Sequence, residues 1–289
     1  MPTEFLVAQN GRVYSSQEVD CEILRKRHLY KSISLLEANR SGIVVPPTLL
    51  LLDSVSDYIA DMASKWVPPL MIRMDYDTRP PSKPIGGIPA YSIDVIRSLS
   101  TNLFGQGLYP LFHPHIDRFS DIYSAGVLLR KHDTEIQIEL VGQGFDAADL
   151  RLGSAIPHES FRYDMAEDSI YERRQIGKDI YHSQRLERAH RIAELRRYID
   201  FANRECRLAS SLSHFNPSPS EIAEAENSIR AHYIPLEKRE IKALAGIAFV
   251  LQNQVLPHLP SSEYFAASLS LISGRGWILW DVYGHWYER

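Results

Sequence analysis

The chain is poor in cysteine, with only Cys21 and Cys206 among 289 residues. Two thiols so far apart make neither a disulfide framework nor a metal knuckle, and they fit a reducing compartment as small core residues. Long hydrophobic runs are missing too. The longest, near 43–52 and 244–251, are core-sized and fall short of the roughly 20 residues that span a bilayer. No basic start followed by an apolar run opens the sequence, so no secretory leader is expected and the reading is a cytoplasmic protein without a membrane partner. Nor is there an excess of one charge. Thirty-two Lys and Arg against 36 Asp and Glu leave −4, which argues against wholesale nucleic-acid binding while allowing a local basic patch. No repeat or low-complexity tract interrupts the chain. Hydrophobic residues at 44% and charged residues at 24% suit a globular enzyme or binding protein of one large domain or two lobes.

What the sequence does hold is concentrated in 69–88, PLMIRMDYDTRPPSKPIGGI. Leu70, Met71 and Ile72 make a short buried strand. Arg73, Asp75 and Asp77 follow in alternation, so one face of an extended segment can carry all three. Lys83 and the pair Gly86-Gly87 come next. Paired glycines turn a backbone sharply and bring its N–H groups close to a ligand with no Cβ between. A fixed guanidinium, a nearby lysine and a Gly-Gly loop make a phosphate cradle. A surface hairpin, with glycines for the turn and solvated charges, reads the same residues equally simply.

In chain order, Asn10-Gly11 between two β-prone runs predicts a hairpin over 4–15. A helix is expected from 21 to 39, closed by Gly42. A strand broken by Pro46-Pro47 follows over 43–52, then a helix from Asp53 or Ser54 to 65. Beyond the Arg73 stretch come a helix over 91–103, a strand over 109–113 and an antiparallel hairpin of 123–129 with 135–141. From 165 to 208 the composition predicts long helix. Between 171 and 204 nine Lys and Arg stand against five Asp and Glu, which is either a surface for an acidic partner or a solvated helical face. Residues 211–220, with Pro217 and Pro219, read as a linker. Two further helices follow, and 276–289 close the chain as a strand that sets Asp281 in an apolar run. The order is α+β, with two lobes and a helical insertion over about 165–260; the lobes divide as 1–108 and 109–289.

With these pieces placed, the first half resembles the ATP-grasp superfamily. Tyr30-Lys31-Ser32, a helix, and then Ser41-Gly42-Ile43-Val44-Val45-Pro46-Pro47-Thr48 look like that family's entry, where a lysine begins a helix that feeds a strand. The family's next strand carries a phosphate-binding Lys or Arg and leads into a Gly-rich loop. Arg73 and the loop with Gly86 and Gly87 stand in that place. The resemblance covers roughly 28–142 and, more weakly, the last strand. It implies ATP and Mg2+ as cofactors, with Lys31, Arg73, Lys83, Gly86, Gly87 and the hinge residue His113 around the nucleotide. Glu139 and Asp281 stand where metal-binding acids are expected, and Arg73 and Asp281 carry the catalytic roles. Three departures are visible. The family's N-terminal substrate domain is missing or reduced, the hinge lacks its acidic ribose-binding residue, and the usual metal-binding "E-x-N" is absent as such.

The implied reaction joins a small-molecule or peptide carboxylate to an amine or other nucleophile through an acyl phosphate. A phosphotransferase of the same fold and a non-catalytic nucleotide-binding scaffold are the alternatives. Other constellations carry less. His113-Pro114-His115 invites a metal reading, but the further Cys or His ligands that a zinc site needs are missing around it. Pro157-His158-Glu159 offers a general base or a plain loop. The segment 142–150 lacks the glycines and the βαβ setting of a dinucleotide fingerprint.

Overall fold

The fold grows from two six-stranded sheets, each with its own core. The computed structural model describes residues 5–53, 66, 69–76, 87–115, 122–132, 134–142, 145, 147–153, 155–175, 182–209, 214–229, 235–261, 265–272 and 275–284. They group into two compact units, one of 1–40, 45–116 and 194–217, the other of 41–44, 117–193 and 218–289.

In the first unit β1 (Phe5–Gln9) and β2 (Arg12–Ser15) form the expected hairpin, with Asn10 and Gly11 both at positive φ. The expected helix over 21–39 is two helices, α1 (Cys21–Lys26) and α2 (Tyr30–Arg40). His28 takes φ +54° between them, a left-handed turn that breaks the hydrogen-bond ladder. The strand predicted over 43–52 shortens to β3 (Thr48–Leu51) because the prolines before it donate no N–H. β3 runs parallel to β1. The helix expected from 53 to 65 lies outside the described residues.

β4 (Leu70–Tyr76), β5 (Ile88–Ala90), α3 (Ile93–Gly105) and β6 (Leu108–Pro114) complete the unit, giving the order β2-β1-β3-β6-β4-β5. Leu70, Ile72 and Met74 point to one face, where they pack with Ile96, Leu99 and Leu103 of α3. Each such side chain contributes about 1.5–3 kcal/mol by leaving water. Met71, Arg73 and Asp75 therefore face the other way. The division expected at 108/109 fails here, since it would cut β6, an inner strand of this sheet. Cys21 is not an inert core residue either. Its thiol donates to Glu37 (2.9 Å) and accepts from Arg40 (3.0 Å), and burial with that carboxylate pushes it up to about 11.

The second unit is an antiparallel sheet in the order β10-β9-β8-β7-β11-β12. β7 (Ile122–His132) and β8 (Glu135–Val141) are the predicted hairpin, and α4 (Ala147–Leu152) follows. The long helix expected from 165 begins only at α5 (Arg185–Glu205), because β9 (Glu159–Asp164) and β10 (Ser169–Gln175) occupy that ground. Charge hides this hairpin in the sequence. Glu159 takes an inward position beside Phe161 and Tyr163, while β10 is an exposed edge strand. The α5 residues 185–193 belong to this unit and 194–205 to the first. α6 (Pro219–Ser228) starts with a full capping box on Ser218 and Glu221, so the expected linker ends as a helix start. α7 (Lys238–Val250), β11 (Phe265–Ile272) and β12 (Gly276–Tyr283) close the unit.

Candidate functional site

The first unit gathers polar chemistry where α2 meets β4. Asp75 is only 4% exposed, on the face of β4 that carries Arg73 two residues earlier. Its Oδ2 accepts from the Ser32 amide and from the Ser32 hydroxyl, both at 2.7 Å, and its Oδ1 accepts from the Tyr76 amide at 2.9 Å. Ser32 lies in the first turn of α2, so the carboxylate sits at the positive end of that helix. Lys31, one residue earlier, donates from Nζ to the Met74 carbonyl at 3.2 Å. Burial pushes the Asp75 carboxyl above the usual range, and the Lys31 charge and the Ser32 and Tyr76 donors pull it back only in part.

Gly87 completes this face. A Cβ there would stand 2.5 Å from Arg73 Cγ, 3.1 Å from Met71 Sδ and 3.2 Å from the Ile72 carbonyl. The stem of Arg73 runs through the space that any side chain at 87 would fill. The structure thus brings Arg73 and Gly87 together, and ties Lys31 to the strand that carries Arg73. Lys83 and Gly86 lie outside the described residues. His113, on β6, pairs with Met71 and shares the Arg73 face, two residues further along, with 2% of its surface exposed. Asp77, expected on the same face, lies outside the described residues.

At the other end of this face Arg27 closes off the sheet. It donates to the Tyr109 hydroxyl at 3.0 Å and the Leu52 carbonyl at 3.4 Å, with its guanidinium over the Tyr109 ring. Arg27 was not singled out from sequence, and Asp75 was placed on the Arg73 face without a role of its own. The i+2 spacing from Arg73 was the one available signal for Asp75.

Glu139 and Asp281 both belong to the second unit, buried to 9% and 1% exposure. Asp281 pairs with Ser268, Ser268 with position 128, and position 128 with Glu139. The two acids therefore share a sheet face but lie three strands apart, roughly 14 Å between backbones. Magnesium bonds are about 2.1 Å long, so the structure does not bring these carboxylates to one ion. Among the described residues no group of three or more His, Cys, Asp or Glu converges to hold a metal. A magnesium carried by a nucleotide asks less, since phosphate oxygens and water fill most of its shell and one or two carboxylates suffice.

The second unit also resolves His158. Its Nδ1 accepts the Gly142 amide at 2.8 Å, which places the ring proton on Nε2, facing Gln184 Oε1 at 3.1 Å. Burial and the nearby Arg188 hold its pKa down at about 4, with the Gln184 contact opposing. A ring with both nitrogens engaged is a clasp for the segment after β8, and it does not serve as a general base.

No family model matches the chain, and no curated protein matches it. Solved structures do, across most of its length. D-alanine-D-alanine ligase from Coxiella burnetii matches 89% of the chain at TM-score 0.44 and 7% identity. An N5-carboxyaminoimidazole ribonucleotide synthetase in complex with ADP matches 93% at 0.41 and 8%, and an L-amino acid ligase from Bacillus licheniformis matches 88% at 0.38 and 9%. The chain is similar to them. It spans less than half of their length, 47%, 47% and 41% in turn.

Proposed function

We propose that the Lys31, Arg73 and Gly87 face binds the phosphates of ATP, and that the chain is an ATP-dependent ligase of ATP-grasp type acting on a small-molecule or peptide carboxylate. The observation that carries this is the placement of Gly87 against Arg73, with Lys31 fastened to the same strand. A surface hairpin has no need of a glycine at the point where an arginine stem crosses. A backbone that approaches a polyphosphate has that need, and a guanidinium held from below presents its fork in a set direction.

Bound ATP would supply the phosphoryl group that activates the carboxylate as an acyl phosphate. This chain's residues supply positioning and charge. Arg73 would hold phosphate oxygens, Lys31 would add a second cation from the α2 turn, and the backbone at Gly87 would let the phosphates come close. His113 stands on the same face further along the sheet. Asp281, in the second unit, would offer carboxylate oxygens for Mg2+.

The scaffold alternative rests on the basic segment 171–204, and several of its arginines hold partners within the protein. Arg173 pairs with Glu159 at 2.6 Å, Arg191 with Asp149 at 2.5 Å and Arg185 with Glu226 at 3.1 Å, while Arg197 donates to the Asn216 carbonyl. Arg188 is wholly buried. Calorimetry with β,γ-imido-ATP and Mg2+ tests the proposal. Binding in the micromolar range is expected, and the absence of both heat and thermal shift at millimolar nucleotide overturns it.

A further inference from the structure

We propose that Asp75 is the positioning residue of this phosphate face. It never touches the ligand, and it acts by holding Lys31 and the first turn of α2 against β4. The inference rests on the nucleotide reading above and deepens it.

The argument begins with cost. A carboxylate at 4% exposure is expensive to bury, and the fold has no evident need of one there. Its neighbours along β4, Met74 and Tyr76, pack with the apolar cluster of the opposite face, and an apolar residue at 75 would spare the desolvation. The acid nevertheless has three donors, all within 2.9 Å, and two of them come from Ser32. Those two bonds join α2 to a strand 43 residues further along the chain. They fix the residue directly after Lys31, while the Lys31 ammonium reaches the carbonyl directly before Asp75. The lysine is clamped on both sides by one dipeptide of β4.

A lysine stem has four rotatable bonds, and ordering it on a ligand costs rotamer entropy. Ordering it beforehand removes that cost from binding, which is the benefit of preorganisation. Arg73 leaves the same strand on the same face two residues earlier. Asp75 thereby sets the spacing between the two cations that a polyphosphate would bridge.

Sign separates this role from simple charge balance. Asp75 contributes a negative charge beside two cations, so a carboxylate that merely neutralises would weaken phosphate binding. Its removal would then tighten the complex. A positioning carboxylate predicts the reverse.

The test measures β,γ-imido-ATP affinity by calorimetry in the wild type, Asp75→Asn, Lys31→Ala and the double variant, with melting recorded for each. Asparagine keeps the shape but turns one acceptor oxygen into a donor and removes the charge, so it cannot hold the Ser32 bonds and the Tyr76 bond together. A wild type that does not bind overturns the nucleotide reading itself, independently of Asp75. Given wild-type binding, Asp75→Asn should melt near the wild type and bind about tenfold more weakly, the scale of one ordered side chain. That loss should vanish in the Lys31→Ala background. Affinity that is unchanged or improved in Asp75→Asn overturns the proposal, and so does a loss that persists without Lys31. Should Asp75→Asn fail to fold, Ser32→Ala carries the same test, because it removes one of the two bonds to Oδ2 and leaves the charge. A two- to threefold loss that depends on Lys31 is expected there on the same scale, and no loss overturns the proposal.

Discussion

Arg73 and Gly87 fit together so closely that a single added methyl at 87 would stand 2.5 Å from the Arg73 stem. The contact is near the root of the side chain, at Cγ, where a rotamer change moves the whole guanidinium. Gly87→Ala should therefore act on ligand affinity through Arg73. Arg73→Ala should cost about 1.5–3 kcal/mol of nucleotide binding, the scale of a charge-assisted hydrogen bond. Arg73→Lys keeps the charge and loses the fork, so it should fall between. If Gly87 acts through Arg73, Gly87→Ala should add little to the loss in an Arg73→Ala background. Calorimetry across the four proteins reads this, and full additivity would separate the two residues.

His158 predicts an acid limb in stability. Its Nδ1 faces the Gly142 amide, so a second ring proton would point at an N–H group. The folded pKa of about 4 lies below the ordinary 6.5, so between those values the unfolded chain takes up a proton that the folded protein refuses. The stability from neutral His158 is whole above pH 6.5 and is lost as pH falls towards 4, amounting to about 3 kcal/mol at most. Urea unfolding at pH 7 and pH 4.5 should show the drop, and His158→Gln should flatten that part of the profile. An identical limb in the variant would assign the effect to other groups.

The ion pair of Arg191 with Asp149 makes the basic segment a matter of stability. Asp149 is 3% exposed, and Arg191 also lies over the Phe145 ring. Arg191→Ala should lower stability by about 2–3 kcal/mol, somewhat under the cost of breaking a fully buried pair, because the arginine is partly exposed. Arg174, whose partner Glu172 is also solvent-accessible, should cost under 1 kcal/mol when replaced by alanine. Chemical denaturation reads both. Equal effects would mean that the segment behaves as a solvated face throughout.

Local chemistry was legible in the sequence, and long-range pairing was not. The Asn10-Gly11 turn, β4 and the β7–β8 hairpin follow from propensity and alternation, and they form as expected. The break at His28 carries no glycine or proline to announce it. β11 was missed because its run of Ala, Ser and Leu is buried almost throughout, which leaves no alternation to find. At the site, Lys31, Arg73 and Gly87 were visible as residue types in order. Asp75 was legible on the Arg73 face, but its partner was not, because Ser32 is supplied by a helix far away in sequence. Conversely, Glu139 and Asp281 looked like a pair until the strand register placed two strands between them.

On the proposed reading, Asp281 is the group that would extend nucleotide binding to catalysis. It is 1% exposed in β12, with Ile278, Leu279 and Val282 buried around it, and its Oδ1 accepts the Val282 amide at 3.1 Å. A carboxylate this deep is held by a donor of the protein or by a hard cation, and magnesium takes carboxylate oxygens. Glu139, about three strands away, cannot replace it at the same ion. Asp281→Asn keeps the volume and one acceptor oxygen for the Val282 amide while deleting the charge. We expect a folded variant that melts near the wild type, binds the nucleotide with weakened dependence on Mg2+ and loses ATP turnover by orders of magnitude. Magnesium titrations monitored by ADP release, with melting curves alongside, distinguish the outcomes. A variant that unfolds would make Asp281 a structural acid, and one that keeps full turnover would move the metal away from β12.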